Sequence, residues 1–301
     1  MGGMRASPVQ ARPRAPIAVE PGRSSQAWRR KAAQYRRDGY VVAPRLFDRD
    51  GIAALRAEIT AIGRGERGAV RGLPTDAATL GADRVLHRYL CIHHPHKISA
   101  VMLAALTQAG VVAALGAVVG PNVKCMQSML FIKGPGKPGQ AWHQDEFFIP
   151  TRDRSLCGVW IALDDATTLN GCLWVLPGSH RPRVLYPTRT IADPRFDGSP
   201  VAFDFPWPES EARPLEVGAG GVVFFNGYLL HRSLPNATPD QFRRALVFHC
   251  MSAESLLPWD DEGRLPATDD MRDVVLVRGV DPYAYKGTRE VLVPYLRETS
   301  Y

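Results

Sequence analysis

The stretch AWHQDEFFIP, residues 141–150, sets a histidine and an aspartate two positions apart inside an apolar, aromatic run. In a β-strand residues i and i+2 share a face, so His143 and Asp145 would project into one interior while Gln144 and Glu146 point the other way. Such a pair is either a hydrogen-bonded histidine in a packed wall or two ligands of a metal ion, and alone it is a weak signal. A third ligand has to come from another strand. The candidate is His231, which follows the apolar run GGVVFFNGYLL (220–230) and precedes a polar turn. Two imidazoles and one carboxylate on one side of a metal leave three positions open, which suits non-haem Fe(II) with a chelating co-substrate and O2. Zinc accepts the same donors.

Outward from this stretch the chain has two characters. From residue 122 on, short β-like runs (123–132, 140–149, 157–163, 172–176, 222–225, 228–230 and 243–251) alternate with Gly, Pro, Asn and Asp clusters, the punctuation of a sandwich or barrel. Before them the chain reads as helical. SSQAWRRKAAQYRRDG (24–39) is one helix, with Ser25 as cap and Gly39 closing it. Ile52, Leu55, Ile59 and Ile62 recur at helical spacing in a second, and ISAVMLAALTQAGVVAALGAVVG (98–120) makes two more, divided near Gly110. The expected organisation is a disordered basic tail (1–25) and one domain over 26–301. That domain comprises a mainly helical part (26–121), a β core (122–251) carrying a long Pro- and Arg-rich loop (177–213) of the kind that forms lids, and a C-terminal extension (252–301).

Composition narrows the function classes. The formal charge of +7 is unevenly placed: residues 1–37 hold nine basic residues against Glu20, and the remainder carries 28 basic and 29 acidic residues. The basic balance belongs to the tail, and no basic patch interleaved with aromatics follows it, which argues against nucleic acid as a partner. There is no run of 18 apolar residues to cross a membrane and no apolar centre of a signal peptide. Five cysteines without a C-x-x-C pair sit mostly in apolar runs, as reduced thiols in a cytoplasmic protein would. Arginine outnumbers lysine 31 to 6, a bias of GC-rich bacterial genomes.

The metal reading gains weight from its company. Arg243 lies twelve residues beyond His231, at the mouth of the strand FRRALVFHC, and by strand phase shares a face with the small Ala245 while Arg244 points out. An interior arginine needs an anion, and a carboxylate satisfies it bidentately. Ser233, two beyond His231, can donate to the same carboxylate.

WHQDEFF (142–148), NGCLWVLPGSH (170–180) and HRSLPNAT (231–238) with FRRA (242–245) resemble, in order, the blocks of the phytanoyl-CoA dioxygenase family of Fe(II)/2-oxoglutarate oxygenases, over roughly residues 35–250. The resemblance implies a double-stranded β-helix (jelly roll, cupin-like) supported by N-terminal helices. It implies His143, Asp145 and His231 as iron ligands and Arg243 with Ser233 as the anchor of 2-oxoglutarate, with Gln127 and Lys133 in supporting parts. The His231-to-arginine spacing is one longer than in many members, so Arg244 stays open as the anchor. Asp145 also matters for outcome: related halogenases carry a small residue there, so the carboxylate favours hydroxylation of an unactivated C–H bond in a small molecule, with O2 as oxidant and bacterial secondary metabolism as the setting. Desaturation, epimerisation or ring closure would use the same ligands. A metal-binding sensor and a zinc hydrolase are the readings of other classes, and the oligomeric state is open.

Other residues have a structural and a functional reading. CIHHPHK (91–97) reads as a solvated loop, although the family's N-terminal part often reaches the substrate, which makes His93 and His94 candidate contacts. Phe148 and Trp160 are candidate pocket walls. His180 reads as a rim hydrogen-bonder, His249 as an ordinary strand residue, and Arg181, Arg183, Arg189 and Arg195 either as a solvated lid or as a clamp for an acidic substrate.

Overall fold

The computed structural model describes residues 24–257 and 271–297. The basic tail expected over 1–25 lies almost wholly outside these residues, as do 258–270 and 298–301 of the C-terminal extension. Among the described residues six α-helices precede or interrupt the strands: α1 Ser24–Asp38, α2 Arg49–Gly63, α3 Ala82–Arg88, α4 Ala100–Leu106, α5 Ala109–Val118 and the single turn α6 Asp145–Phe148. The strands are β1 Tyr40–Ala43, β2 Cys91–His93, β3 Val123–Lys133, β4 Gln140–His143, β5 Cys157–Ala162, β6 Leu173–Val175, β7 Thr188–Arg189, β8 Val201–Ala202, β9 Arg213–Leu215, β10 Val222–Asn226, β11 His231–Ser233, β12 Arg243–Ser252, β13 Val275–Arg278 and β14 Tyr295–Arg297.

The larger sheet runs β1-β10-β5-β12-β3-β2-β14, with β13 also paired to β3; the smaller runs β4-β11-β6-β9. Their neighbours pair antiparallel. The two sheets face each other as the double-stranded β-helix expected from the sequence.

Strand alternation explains the layering. On β12, Leu246, Phe248 and Cys250 face outward into a core shared with Trp28 and Tyr35 of α1, Leu55 and Ile59 of α2, and Leu115 of α5. Ala245 and Val247 face inward and meet Leu173 and Val175 from the opposite sheet and Leu229 from the turn before β11. α2 forms because Asp48 caps it, its carboxylate accepting from Gly51 N at 2.8 Å, and because Ile52, Leu55, Ile59 and Ile62 bury one stripe. Each fully buried side chain of this kind contributes about 1.5–3 kcal/mol. The helix layer thus closes the outer face of the large sheet and leaves the inner face to the site.

Several boundaries differ from expectation. The strand expected over 140–149 stops at His143, and Asp145 opens a helical turn. The reason is tertiary. The Gln144 amide donates to Tyr228 O at 2.8 Å and Val184 O at 3.0 Å, and its carbonyl accepts from Tyr186 N. Glu146 N bonds Gly227 O, and the Glu146 carboxylate accepts from Thr151 N at 2.7 Å. Gln144 and Glu146 are therefore buried anchors and do not face solvent. Residues 228–230 form a turn before β11, and the break between α4 and α5 falls at Thr107-Gln108, where the Gln108 side chain caps α5 by accepting from Val111 N. The loop 177–213 carries the β7–β8 ribbon. No single helix among the described residues is long and apolar enough to cross a membrane.

Candidate metal centre

β4 and β11 are neighbours in the smaller sheet, and their register sets His143 opposite His231, with ring centroids 4.0 Å apart. Each imidazole is turned by its own backbone: Nδ1 of His143 lies 2.8 Å from Ala141 O, and Nδ1 of His231 lies 2.9 Å from Leu229 O. Donation through Nδ1–H fixes the tautomer and leaves Nε2 with a free lone pair. Both Nε2 atoms point at Asp145 Oδ1, 3.6 Å from each. The three residues are buried, and a ligand atom from each lies within 4.8 Å of the others, a set that can hold one metal ion. The helical turn, and not the strand phase expected from the sequence, brings Asp145 to this point.

Burial, then the neighbouring His231, pushes His143 down to about 4. For Asp145 burial acts upward, but His231 and His249 prevail and hold the carboxyl well below the ordinary range. Near neutrality His143 is uncharged and Asp145 ionised, the forms that ligate metals. The second oxygen, Asp145 Oδ2, accepts from Nε2 of His249 at 3.1 Å. The sequence reading treated His249 as an ordinary strand residue; the same alternation that groups Arg243 with Ala245 continues through Val247 to His249, and was the available signal.

These residues line a cavity of about 560 Å³ between the sheets. Arg243 lines it too, 3% exposed, with its guanidinium carbon 5.7 Å from the Trp160 ring centroid. Its buried Nε has no hydrogen-bond partner, and no carboxylate among the described residues pairs with it. Arg244 points the other way, its guanidinium engaged by Asp164 through Nε at 2.7 Å and NH2 at 2.7 Å. Geometry therefore assigns the free interior cation to Arg243. Beside it in register stands Lys133, whose ammonium donates to Ser233 Oγ at 2.9 Å and Leu234 O at 2.6 Å. Burial and then Arg243 lower the Lys133 ammonium well below its usual range, and burial presses Arg243 down to about 10. Two desolvated cations side by side are costly unless an anion joins them. Gly171 makes this corner possible: at φ 85° it passes so close that an added Cβ would sit 2.3 Å from Leu234 O and 2.8 Å from Lys133 Nζ.

Gln127, Phe148, Trp160 and His93 also line this cavity, whereas His94 lines an adjoining one of about 420 Å³. The CIHHPHK tract is buried, contrary to the solvated loop expected: β2 inserts between β3 and β14, His93 stacks on Tyr295 at 4.2 Å, and His96 Nδ1 meets Ser128 Oγ at 2.5 Å. His180 bonds Arg36 O through Nε2 at 3.1 Å. Arg181, Arg183, Arg189 and Arg195 do not line the metal cavity; that loop contributes Asp197, Gly198, Ser199 and Pro200, tied to the C-terminal strand by Arg297–Asp197 at 3.0 Å.

A profile of the phytanoyl-CoA dioxygenase (PhyH) family matches residues 35–245. Phytanoyl-CoA dioxygenase 1 of Oryza sativa subsp. japonica is 40% identical over 134 residues, 43% of this chain and 45% of that protein. Phytanoyl-CoA dioxygenase domain-containing protein 1 of Danio rerio is 37% identical over 157 residues, 50% of this chain and 52% of that one. The chain spans about half the length of the curated relatives it matches. Among solved structures, the non-haem alpha-ketoglutarate-dependent carbocyclase SnoK from nogalamycin biosynthesis superposes with TM-score 0.63 at 22% identity, covering 86% of this chain and all of that one. The epimerase SnoN, solved with Fe3+, alpha ketoglutarate and nogalamycin RO, gives 0.58 at 23% identity over 77% and 86%. At these identities the likeness is one of fold. With the profile spanning most of its length, this chain belongs to the phytanoyl-CoA dioxygenase family.

Proposed function

We propose that the chain is an Fe(II)- and 2-oxoglutarate-dependent dioxygenase that hydroxylates an unactivated C–H bond of a small molecule, in the cytoplasm and within bacterial secondary metabolism. One observation carries the reading: one cavity between the sheets holds the His143–Asp145–His231 cluster and, beside it, Arg243 and Lys133, with which no carboxylate among the described residues forms an ion pair. Ser233, which Lys133 contacts, is two residues from His231 on β11, a step of about 6–7 Å. That is the span of a five-carbon diacid with one end at the metal and the other at the cations.

In this reading His143, Asp145 and His231 hold the metal from one side, and Arg243, Lys133 and Ser233 bind the far carboxylate of 2-oxoglutarate. Trp160 orients the Arg243 guanidinium, and Gln127 supports the co-substrate. When bound, iron, 2-oxoglutarate and O2 supply the oxidation, one oxygen atom going to the substrate carbon and the other to succinate as CO2 leaves. Phe148 and His93 face the remaining space, where the substrate would lie.

The test is anaerobic addition of Fe(II) and 2-oxoglutarate, which should produce the visible charge-transfer band of the chelate. His143→Ala should abolish the band, and Arg243→Ala should require far more 2-oxoglutarate to reach it. A band unchanged in both variants would overturn the assignment. Succinate formed only with O2 present separates this reading from a zinc hydrolase and from a sensor.

A further inference from the structure

The two oxygens of Asp145 have different surroundings. Oδ1 stands 3.6 Å from Nε2 of both ligand histidines, and Oδ2 stands 3.1 Å from Nε2 of His249. We propose that His249 is the positioning residue of the metal centre. By holding Oδ2 it presents Oδ1 alone to the metal, keeps Asp145 a one-oxygen ligand, and leaves the cavity-side coordination positions open for small molecules. The inference rests on the metal-centre reading above and adds a role to a residue outside the ligand set.

Three observations support it. A carboxylate next to a divalent ion can close on it with both oxygens, which would consume one of the positions that a three-ligand site leaves free. A hydrogen bond from His249 to the ionised Asp145 is charge-assisted and opposes that closure by holding the second oxygen. The second observation is placement. His249 is 4% exposed and lies opposite Gly158 on β5 and Gln127 on β3, where the β12–β3 register shifts between His249 and Cys250. The unpaired residue of that shift is Met126 on β3, so the inward phase of β12 runs unbroken from Arg243 through Ala245 and Val247 to His249, whose Nε2 reaches Asp145. The third is cost. Nδ1 of His249 is buried without a hydrogen-bond partner among the described residues, a desolvation cost that a phenylalanine of similar size would avoid. The fold carries that penalty at the position where Nε2 meets the ligand carboxylate.

The experiment uses the full chain and Co(II) as probe, with affinity from competition against a chelator and coordination from the visible spectrum. His249→Phe should lose 10- to 100-fold in Co(II) affinity, the range found when a ligand's hydrogen-bond partner is removed. Its Co(II) bands should also change, because the carboxylate is freed to bind through both oxygens. His249→Gln, whose amide N–H can reach Oδ2, should recover most of the affinity and the native spectrum. His249→Asn, one methylene shorter, should behave like Phe and serves in its place if the aromatic ring is not tolerated. Affinity within twofold and an unchanged spectrum in Phe and Asn variants would overturn the proposal, as would a Gln variant as impaired as Phe. Absence of Co(II) binding by the unaltered protein would overturn the metal-centre reading itself, a result distinct from either.

Discussion

Replacing Arg243 by methionine removes the cation while keeping most of the aliphatic volume against Trp160. In the structure this guanidinium is buried, lines the cavity and has no carboxylate partner among the described residues, so the change breaks no ion pair among them. What is lost is the contact to the bound diacid. A bidentate guanidinium–carboxylate contact comprises two charge-assisted hydrogen bonds at about 1.5–3 kcal/mol each. Lys133 remains in place on Ser233, so the lower end is the expected loss: about 3 kcal/mol, on the order of a 100-fold rise in Kd. Calorimetric titration of 2-oxoglutarate into Mn(II)-loaded protein measures it without turnover. Arg244→Met is the control. Arg244 is held by Asp164, which also pairs with Arg56 of α2, so its loss should lower Tm and leave Kd within about threefold. A Kd that moves with Arg244 and not with Arg243 would refute the assignment of the anion anchor.

Acid should destabilise the metal-free protein over a defined window. Burial holds His93 near about 3 and His94, His96 and His143 near about 4, below the ordinary 6.5, so between pH 6.5 and 4 the unfolded chain binds protons the folded chain refuses. Stability is then full above 6.5 and falls on acidification, on the order of 1 kcal/mol per pH unit for each group. Glu146, pushed up to about 7 mainly by burial, acts in the opposite sense, but one carboxyl does not offset four imidazoles. Urea unfolding at pH 7, 6 and 5 checks this; stability that is flat or rising on acidification contradicts it. Gly171→Ala should cost about 1–3 kcal/mol in backbone strain and displace Lys133, so calorimetry should show a lower Tm together with weaker 2-oxoglutarate binding. Phe248→Ala, opposite the helices, should cost about 3–5 kcal/mol in denaturant unfolding while Co(II) affinity of the folded protein is retained.

The sequence exposed the fold through alternation. Runs of three to ten residues with turn clusters between them point to a two-sheet barrel, and the i, i+3, i+4 stripe of Ile52 to Ile62 points to the covering helix. The site was legible where chemistry clashes with context, as with a carboxylate in an aromatic run or an arginine at an interior phase. What escaped was set by distant partners. β4 ends at His143 because Gln144 is bonded to residues 184, 186 and 228, none of which is near it in sequence. The burial of His93, His94 and His96 follows from β14 covering β2, a pairing across some two hundred residues that no local pattern encodes. His249 can be placed on the inner face by counting along β12, but its contact with Asp145 depends on the helical turn that carries that carboxylate, where local pattern reads strand.

β12 joins the cavity to the helices. Its inner face carries Arg243 and His249, its outer face is sealed to the helices through Leu246 and Phe248, and Arg244 is fastened through Asp164 to Arg56 of α2. The strand that carries Arg243 and His249 is thus also the one that joins the cavity to the helices. A barrel trimmed of residues 24–118 would expose the back of that strand and lose the anchor at Arg56. Attempts to shrink this protein to residues 122–257 should therefore forfeit metal and co-substrate affinity together, even though His143, Asp145, His231 and Arg243 are all retained.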